Sequence, residues 1–321
     1  MKRVLGMGEI MIQMNPVERG SLKFQQTFER HIAGSEGNVI IQMQRLGIPC
    51  GFITAVGDDE FGQVIVSALR AEGVDTGPIK TDAAHPTAVY FVQRSYPIPG
   101  KTTVRYYRKG SAASFFSEKD LDPSWFEGTE LFHVSGITPA LGPEAKKAAI
   151  SAVEMAKSAG ARISFDTNIR INLLKDTETA HACLDEFIQA ADILFSGSGD
   201  IAHLFPQGNG QEELLKMAKN SRTVVIKRGG EGATAYEDNS EFHCDALKVE
   251  VIDELGAGDA FDGAFLASVL SGKSTETALM YGNAAGAITV GLKGDIEPLP
   301  TWSELGVFLK WYGREDSGLL R

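Results

Sequence analysis

Short apolar segments alternate with segments of helical periodicity along most of this 321-residue chain. Residues 163–167 are a predicted strand that precedes a helical pattern over 177–190, and the same arrangement recurs in 131–137 with 144–158 and in 193–196 with 212–220. Such alternation is typical of βαβ units, in which consecutive strands run parallel and the helices cover the sheet. The sequence therefore predicts an α/β fold with a doubly wound, mostly parallel sheet flanked by helices.

The first hundred residues follow this alternation with two interruptions. Residues 4–12 and 49–56 are predicted strands, and apolar side chains recur at helical spacing after Asn38 and again after Glu60. The stretch 13–33 has a strand-like patch without a helix, and 87–108 holds two β-rich runs. We expect a small β-sheet lid, formed by 13–33 and 87–108, inserted in a body formed by 1–12, 34–86 and 109–321.

Composition and charge limit the classes of partner and of cellular compartment. With 31 Lys and Arg against 42 Asp and Glu, the net charge of −11 disfavours nucleic acid and an anionic membrane surface as partners. No apolar run approaches the roughly 18 residues of a membrane span. Cys50, Cys183 and Cys244 lie far apart without metal-ligand spacing, which is typical of reduced thiols. We expect a cytoplasmic protein.

A glycine-rich turn precedes an apolar helical run near the carboxyl end of the chain. Residues 253–261 read DELGAGDAF, and the helical run covers 261–270. The N–H groups of Gly256, Ala257 and Gly258, together with the positive end of a helix, can hold an anion. A carboxylate beside such a hole is explained if Asp259 takes a proton from a hydroxyl that attacks a bound phosphoryl group. The alternative is a glycine-rich loop with Asp259 as a helix cap.

Three further segments match this motif to a known family. Residues 33–39 read AGSEGNV, 56–62 read VGDDEFG and 227–233 read KRGGEGA. In this order, spanning Gly34 to Asp295, they resemble the sugar-binding turn, the glycine–aspartate loop and the nucleotide turn of the ribokinase-like (PfkB) sugar kinases. The resemblance implies a ribokinase-like fold with a β-sheet lid, and ATP and Mg²⁺ as cofactors. Exposed edges of such a lid often pair between subunits, so we expect a homo-oligomer formed through the lid.

The substrate side of the motif set is similar to one branch of that family. Residues 106–112 (YYRKGSA) and 165–170 (FDTNIR) resemble 2-keto-3-deoxygluconate kinases, especially archaeal ones. An arginine can bind a planar carboxylate through two parallel N–H bonds. The alternative to a substrate contact is a solvated surface side chain for Arg108 and a turn aspartate for Asp295. The resemblance implies that the substrate contacts are Gly34, Asn38, Tyr90, Tyr106, Arg108, Arg170, Asp259 and Asp295.

The nucleotide side follows from the same resemblance, with one departure. The implied contacts are Asn168, Ser196, Lys227, Gly229, Gly232, Gly256, Ala257, Gly258 and Asn283. Residues 196–200 read SGSGD where the family usually has N-x-x-E, a motif tied to Mg²⁺ and phosphate. Only Asp200 keeps an acid there, so Asp200 is the candidate metal ligand and the manner of holding Mg²⁺ stays open.

These patterns predict an ATP-dependent sugar-acid kinase of Entner–Doudoroff-type catabolism. Its predicted reaction is phosphorylation of 2-keto-3-deoxygluconate at the terminal hydroxyl, and the galactonate epimer is a second candidate substrate. Two alternatives remain open. One is a kinase of a neutral sugar such as fructose or ribose. The other is a non-catalytic sugar-binding relative, which the departed N-x-x-E motif leaves open.

Overall fold

The computed structural model describes residues 3–98 and 101–314, and of Arg3 only the backbone. Residues 99–100 of the predicted lid, and 1–2 and 315–321 of the predicted body, lie outside the described residues. The described strands are β1 (Arg3–Met7), β2 (Met11–Pro16), β3 (Phe28–Ala33), β4 (Cys50–Gly57), β5 (Ile79–Asp82), β6 (Val89–Arg94), β7 (Thr102–Tyr107), β8 (Thr129–Ser135), β9 (Arg162–Asp166), β10 (Ile193–Gly197), β11 (Thr223–Lys227), β12 (Ala233–Glu237) and β13 (Ser240–Cys244).

Helices lie between most of these strands. They are α1 (Ser35–Arg45), α2 (Glu60–Ala71), α3 (Ile137–Ala140), α4 (Pro143–Ser158), α5 (Thr177–Ala190), α6 (Ser198–Leu204), α7 (Gly210–Met217), α8 (Ala257–Leu270), α9 (Thr275–Val290) and α10 (Trp302–Trp311). Within the described ranges, no helix has both the length and the apolar character that crossing a membrane requires.

Nine strands form the main sheet, in the order β13-β12-β11-β10-β9-β8-β1-β4-β5. The seven strands from β11 to β5 pair in parallel, while β12 and β13 continue the sheet as an antiparallel hairpin at one edge. The strand order changes direction around β1, and parallel sheets of this kind bind ligands at the carboxyl ends of their strands near such a point. The predicted α/β fold is confirmed.

A separate four-stranded sheet has the order β3-β2-β6-β7; we call it the small sheet. Strand β2 pairs antiparallel with β3 and parallel with β6, and β6 pairs antiparallel with β7. Alternation along β6 buries Tyr90, Val92 and Arg94 on the face toward the body. The opposite face carries Phe91 and the exposed Tyr107.

The helix α8 lies at the centre of the molecule. Of its 14 residues, 11 are buried, as expected for a helix enclosed by other elements. A methyl group at Gly263 would lie 2.7 Å from Cβ of Gln42 and 2.9 Å from the carbonyl oxygen of Val39, so glycine lets α8 approach α1 closely. This contact brings the first turns of the two helices together at one place.

Some element predictions were wrong. Residues 4–12 do not form one strand, because the chain leaves the main sheet at Met7 and enters the small sheet at Met11. Gly8 allows this crossing, since a methyl group there would lie 2.3 Å from Oε2 of the buried Glu36. The elements β5, α3, α6, β13, α9 and α10 had no counterpart among the predicted ones, because each is short or lies outside the regular alternation.

Candidate active site

Asp259 lies in the first turn of α8, directly after the glycine-rich turn. Gly256 precedes the helix with φ of 76°, a left-handed conformation that glycine adopts without strain. The first helical hydrogen bond runs from the Ala260 N–H to the Gly256 carbonyl over 2.9 Å. The N–H groups of residues 257–259 therefore precede the intrahelical pattern and are available, as at any helix start, to an anion.

The first turn of α1 holds the Asp259 carboxylate from the other side. Ser35 Oγ donates to Oδ1 over 2.7 Å, and Asn38 Nδ2 donates to Oδ2 over 2.8 Å. Gly34, which precedes this helix, lies against the chain near Glu9, because a methyl group there would be 2.2 Å from the Glu9 carbonyl oxygen. Two segments more than 220 residues apart thus meet at one carboxylate.

Burial raises the pKa of Asp259 above its usual range, against the opposing effects of the Ser35 and Asn38 hydrogen bonds and of the positive charges of Arg170 and Lys227. The side chain is nearly enclosed, with 7% of the residue exposed. A higher pKa makes a carboxylate a stronger base toward a hydroxyl proton, so this environment suits proton abstraction.

Asp295 is the second buried carboxylate of the site. Gln13 Nε2 donates to its Oδ1 over 2.6 Å, and the Tyr90 hydroxyl lies 3.4 Å from Oδ2. Burial raises the pKa of Asp295 to about 7, and the negative charges of Asp259 and Asp253 act in the same direction. Asp295 is therefore a buried carboxylate in a bend of the chain beside Gln13 and Tyr90, and its contact with substrate stays a prediction.

Tyr106 faces Tyr90 across the small sheet. The two residues are partners in the β6–β7 register, and their ring centroids are 5.5 Å apart. The Tyr90 hydroxyl also accepts a 2.6 Å hydrogen bond from Gln13 Nε2. The predicted aromatic contacts therefore lie on the inner face of the small sheet, next to Asp295.

Arg108 follows β7 and is buried beside Tyr106, whose ring centroid is 5.3 Å from the guanidinium carbon. Its Nε donates to Glu9 Oε2 over 2.8 Å. Nη2 lies 2.6 Å from the same oxygen, but this charge contact is not aligned as a hydrogen bond, and within the described residues Nη2 has no acceptor. Arg108 is thus not a solvated surface residue, and it keeps an unsatisfied buried donor that a ligand could use.

Arg170 differs from Arg108 in exposure. It is solvent-exposed in the loop after β9, and its charge lowers the pKa of Asp259, which places it near that carboxylate. Over the part of the chain that the structure describes, its guanidinium makes no hydrogen bond or ion pair. An exposed cation close to the base is available to an anionic substrate.

Lys227, at the carboxyl end of β11, forms a buried cluster with two aspartates. Its Nζ lies 2.9 Å from Asp166 Oδ2 and 2.9 Å from both carboxylate oxygens of Asp262. Burial alone would lower the pKa of Lys227, but the two carboxylates outweigh it and raise the pKa. A methyl group added at Gly258 would be 3.5 Å from Nζ, so a permanent positive charge adjoins the glycine-rich turn of residues 256–258. We call this segment the anion-binding turn after its predicted role.

Asp200 lies near Asp166 at the start of α6. Thr167 Oγ1 donates to Asp200 Oδ2 over 2.7 Å and lies 2.9 Å from Ser196 Oγ. Burial raises the pKa of Asp200, and the negative charge of Asp166 raises it further. Ser196 is fully buried, so in this conformation its hydroxyl supports Asp200 through Thr167.

These carboxylates bear on how the site could hold Mg²⁺. In the described part of the chain, no three His, Cys, Asp or Glu side chains form a metal-binding group. However, Asp166 Oδ1 is buried without a hydrogen-bond partner among the described residues, and Asp166 and Asp200 repel each other. Mg²⁺ is commonly bound by one or two carboxylates together with phosphates and waters, so this donor set fits it.

The remaining predicted nucleotide contacts lie in two places. Gly229 and Gly232 have positive φ, and a methyl group at Gly232 would lie 2.1 Å from the Cys244 carbonyl oxygen. Asn283 Nδ2 donates to that same carbonyl over 2.8 Å, so Asn283 lies beside the Gly232 turn. Asn168 lies apart from them, because its Nδ2 donates to Ser35 Oγ over 2.6 Å.

Several residues of the site had no role in the predictions, including Ser35, Glu9, Gln13 and Asp166. Ser35 contacts the Asp259 carboxylate, Glu9 and Gln13 contact predicted substrate residues, and Asp166 pairs with Lys227. Asp166 could have been found, because it ends a parallel strand at the edge where such sheets bind ligands. No local pattern marks the other three.

Comparisons with known proteins identify the family of the chain. The family model described as "pfkB family carbohydrate kinase" matches residues 1–302. The chain is 41% identical over 309 residues to the 2-dehydro-3-deoxygluconokinase of Thermoproteus tenax, covering 96% of this chain and 94% of that protein.

Solved structures share the whole fold. An E. coli protein, determined in complex with ATP and Mg²⁺, superposes with a TM-score of 0.88 at 29% identity, covering 97% of this chain and 100% of the other. The 2-dehydro-3-deoxygluconokinase of Thermotoga maritima gives a TM-score of 0.89 at 24% identity, covering 96% and 98%. With its four motifs, its small sheet and these relatives, the chain belongs to the pfkB family of carbohydrate kinases.

Proposed function

We propose that this protein transfers the terminal phosphoryl group of ATP to the terminal hydroxyl of 2-keto-3-deoxygluconate, and that the galactonate-derived epimer is a further candidate substrate. The observation that carries the proposal is the pair of cations on the substrate side, Arg108 and Arg170, together with the 41% identity to a 2-dehydro-3-deoxygluconokinase.

The residues support an in-line transfer. Asp259 accepts the proton of the sugar hydroxyl while the hydroxyl oxygen forms a bond to the γ-phosphorus. The bond between that phosphorus and the β–γ bridging oxygen breaks, and ADP leaves. The N–H groups of Ala257 and Gly258 and the charged Lys227 stabilise the negative charge of the transferring group.

Mg²⁺ would be held by Asp200 and Asp166 together with the nucleotide phosphates. When bound, the ion neutralises phosphate charge and relieves the repulsion between the two carboxylates. In this scheme Thr167 and Ser196 orient Asp200, and the turn at Gly229 and Gly232 with Asn283 borders the nucleotide.

The small sheet serves as a lid in this proposal. Its inner face presents Tyr90 and Tyr106 to the substrate side, and Arg108 follows its last strand. A closed lid excludes water, which would otherwise accept the phosphoryl group. This proposal gives the predicted lid a role of its own, which is to exclude water from the site.

The lid also offers a surface for self-association. On its outer face Phe28, Phe91 and Tyr107 form an edge-to-face aromatic row with centroid distances of 5.4 and 5.7 Å, and Tyr107 is 70% exposed. Exposed aromatic rows are typical of interfaces. We infer a homo-oligomer formed through this face. The three free cysteines favour a cytoplasmic location.

The substrate assignment is tested by truncating the arginines. A charge-assisted hydrogen bond contributes about 1.5–3 kcal/mol, so Arg108→Ala and Arg170→Ala should each reduce kcat/KM for the sugar acid by roughly 10–150-fold. The loss should be much smaller for fructose, which has no carboxylate.

Arg105→Ala is the matched control, because Arg105 is exposed on the same strand as Tyr106 but faces away from the site. It should leave kcat/KM unchanged for both sugars. Equal losses on the acid and on fructose in the Arg108 and Arg170 variants would contradict the sugar-acid assignment and leave a pfkB-family kinase of another sugar.

A further inference from the structure

A buried ion pair joins the small sheet to the segment that precedes the anion-binding turn. Arg94, the last residue of β6, donates through Nε to Asp253 Oδ2 over 2.9 Å, and its Nη2 contacts the same oxygen. Asp253 is 1% exposed and Arg94 is 9% exposed. The two residues are 159 positions apart in sequence, so this contact exists only when the sheet is seated on the body.

The Asp253 carboxylate also shapes its own segment. Its Oδ1 accepts a 3.3 Å hydrogen bond from the Leu255 N–H, one residue before Gly256. The Leu255 side chain packs against the apolar core of the small sheet, which includes Tyr90 and Val92. Asp253 therefore contacts the small sheet through Oδ2 and the segment before the anion-binding turn through Oδ1.

A chain of hydrogen bonds also connects the Arg94 guanidinium to Asp295, the second buried carboxylate of the site. Arg94 Nη1 donates to Asn15 Oδ1 over 2.6 Å, and Asn15 Nδ2 donates to Gln13 Oε1 over 2.6 Å. Gln13 then donates to Asp295, as described above. All these side chains are buried, and a buried polar network of this kind specifies one arrangement because every broken contact leaves an unsatisfied group.

We propose that Arg94 is a positioning residue for phosphoryl transfer, which couples the seated small sheet to the catalytic form of the 253–258 segment through Asp253. The pair is poorly explained as a stabilising device alone, since buried ion pairs are commonly no more stabilising than apolar residues in their place. Its position, between the sheet that covers the substrate and the turn that binds the phosphoryl group, explains it better.

The test compares three variants by thermal unfolding, by kcat and KM for both substrates, and by the ratio of ATP hydrolysed to sugar phosphorylated. Arg94→Lys keeps the charge but not the two-pronged contact. Arg94→Met leaves a buried carboxylate unpaired. The double variant Arg94→Met with Asp253→Asn removes both charges, and the asparagine keeps an acceptor for Leu255. Rates are taken at a temperature at which circular dichroism shows each variant folded.

We expect Arg94→Lys to lose roughly 10-fold in kcat and the double variant roughly 10²-fold, since a displacement of about 1 Å costs that much, with the KM for ATP little changed. In the double variant the unfolding temperature should recover relative to Arg94→Met, while kcat should not, and the share of ATP lost to hydrolysis should rise.

The control is Arg162→Lys, which alters the ion pair of Arg162 with Glu130. This pair lies near the amino ends of β8 and β9, whereas the site lies at the carboxyl ends of the strands, so kcat should be unchanged. Recovery of kcat together with unfolding temperature in the double variant would overturn the proposal, because it would assign the pair a purely structural role. If the double variant does not fold, Arg94→Lys decides, and full kcat in that folded variant would overturn the proposal equally.

Discussion

Asp259 receives two hydrogen bonds from α1 and has an elevated pKa, and in the proposed function it acts as the general base. Asp259→Asn keeps the side-chain volume and removes the base. We predict that kcat falls by roughly 10²–10⁴-fold, the usual contribution of a general base, while ATP binding changes little. Steady-state rates and a nucleotide titration measure the two effects. A near wild-type rate would show that another group takes the proton.

Asp295 provides a test of electrostatics at a single residue. Its pKa of about 7 in the folded protein lies above the ordinary value near 3.9. The folded state therefore holds this proton more tightly than the unfolded state, and the resulting stability is lost as pH rises through the folded pKa. Between pH 5.5 and 8.5 this amounts to about 2 kcal/mol, from about 1.4 kcal/mol for each pH unit below 7.

Asp295→Asn should abolish this part of the pH dependence. The variant's free energy of unfolding should fall less than that of the wild type between pH 5.5 and 8.5, as urea titrations at the two values would show. Asp122→Asn is the control, because Asp122 is an exposed cap far from the site in sequence and contact. Identical pH profiles for wild type and Asp295→Asn would contradict the raised pKa.

At the scale of elements, the start of α8 depends on one glycine. Gly256 has φ of 76°, and a methyl group there would lie 3.2 Å from the Asp295 carbonyl oxygen. Gly256→Ala should lower the free energy of unfolding by about 1–2 kcal/mol, the cost of the left-handed conformation, and should also lower kcat, because the turn shifts away from the phosphoryl group.

Gly272→Ala separates the two effects. Gly272 follows the other end of α8 with φ of 79° and open space around it. It should show a similar loss of stability in urea titration with kcat unchanged. Equal kcat in the two variants would mean that the anion-binding turn tolerates a shift and contributes little to catalysis.

The sequence predicted elements better than contacts between them. Apolar alternation was sufficient for the parallel sheet and for α5, whose bounds agree with the prediction, because burial of one face imposes a regular period. The crossing at Gly8, by contrast, depends on the buried Glu36, which no period reveals. The pairs Ser35–Asp259 and Arg94–Asp253 were also not foreseen, because nothing local marks partners more than 150 residues apart.

At the scale of the whole molecule, the outer face of the small sheet should set the oligomeric state. Replacing the exposed Tyr107 by lysine places a charge in the aromatic row without touching the inner face. We predict that Tyr107→Lys dissociates the oligomer, as light scattering or sedimentation would show. Trp311→Lys, an exposed aromatic on α10, should leave the mass unchanged. A monomeric wild type, or a Tyr107→Lys oligomer of wild-type mass, would remove this face as the interface.

The central claim is that the molecule as a whole is a kinase of a sugar acid. The most direct measurement is the initial rate of ADP formation by the wild-type protein with ATP and Mg²⁺, compared between 2-keto-3-deoxygluconate and fructose over a range of concentrations. We predict a kcat/KM for the acid that exceeds that for fructose by at least roughly 10-fold, the contribution of one charge-assisted contact. Equal values, a preference for fructose, or no ADP formation with the acid would contradict the account.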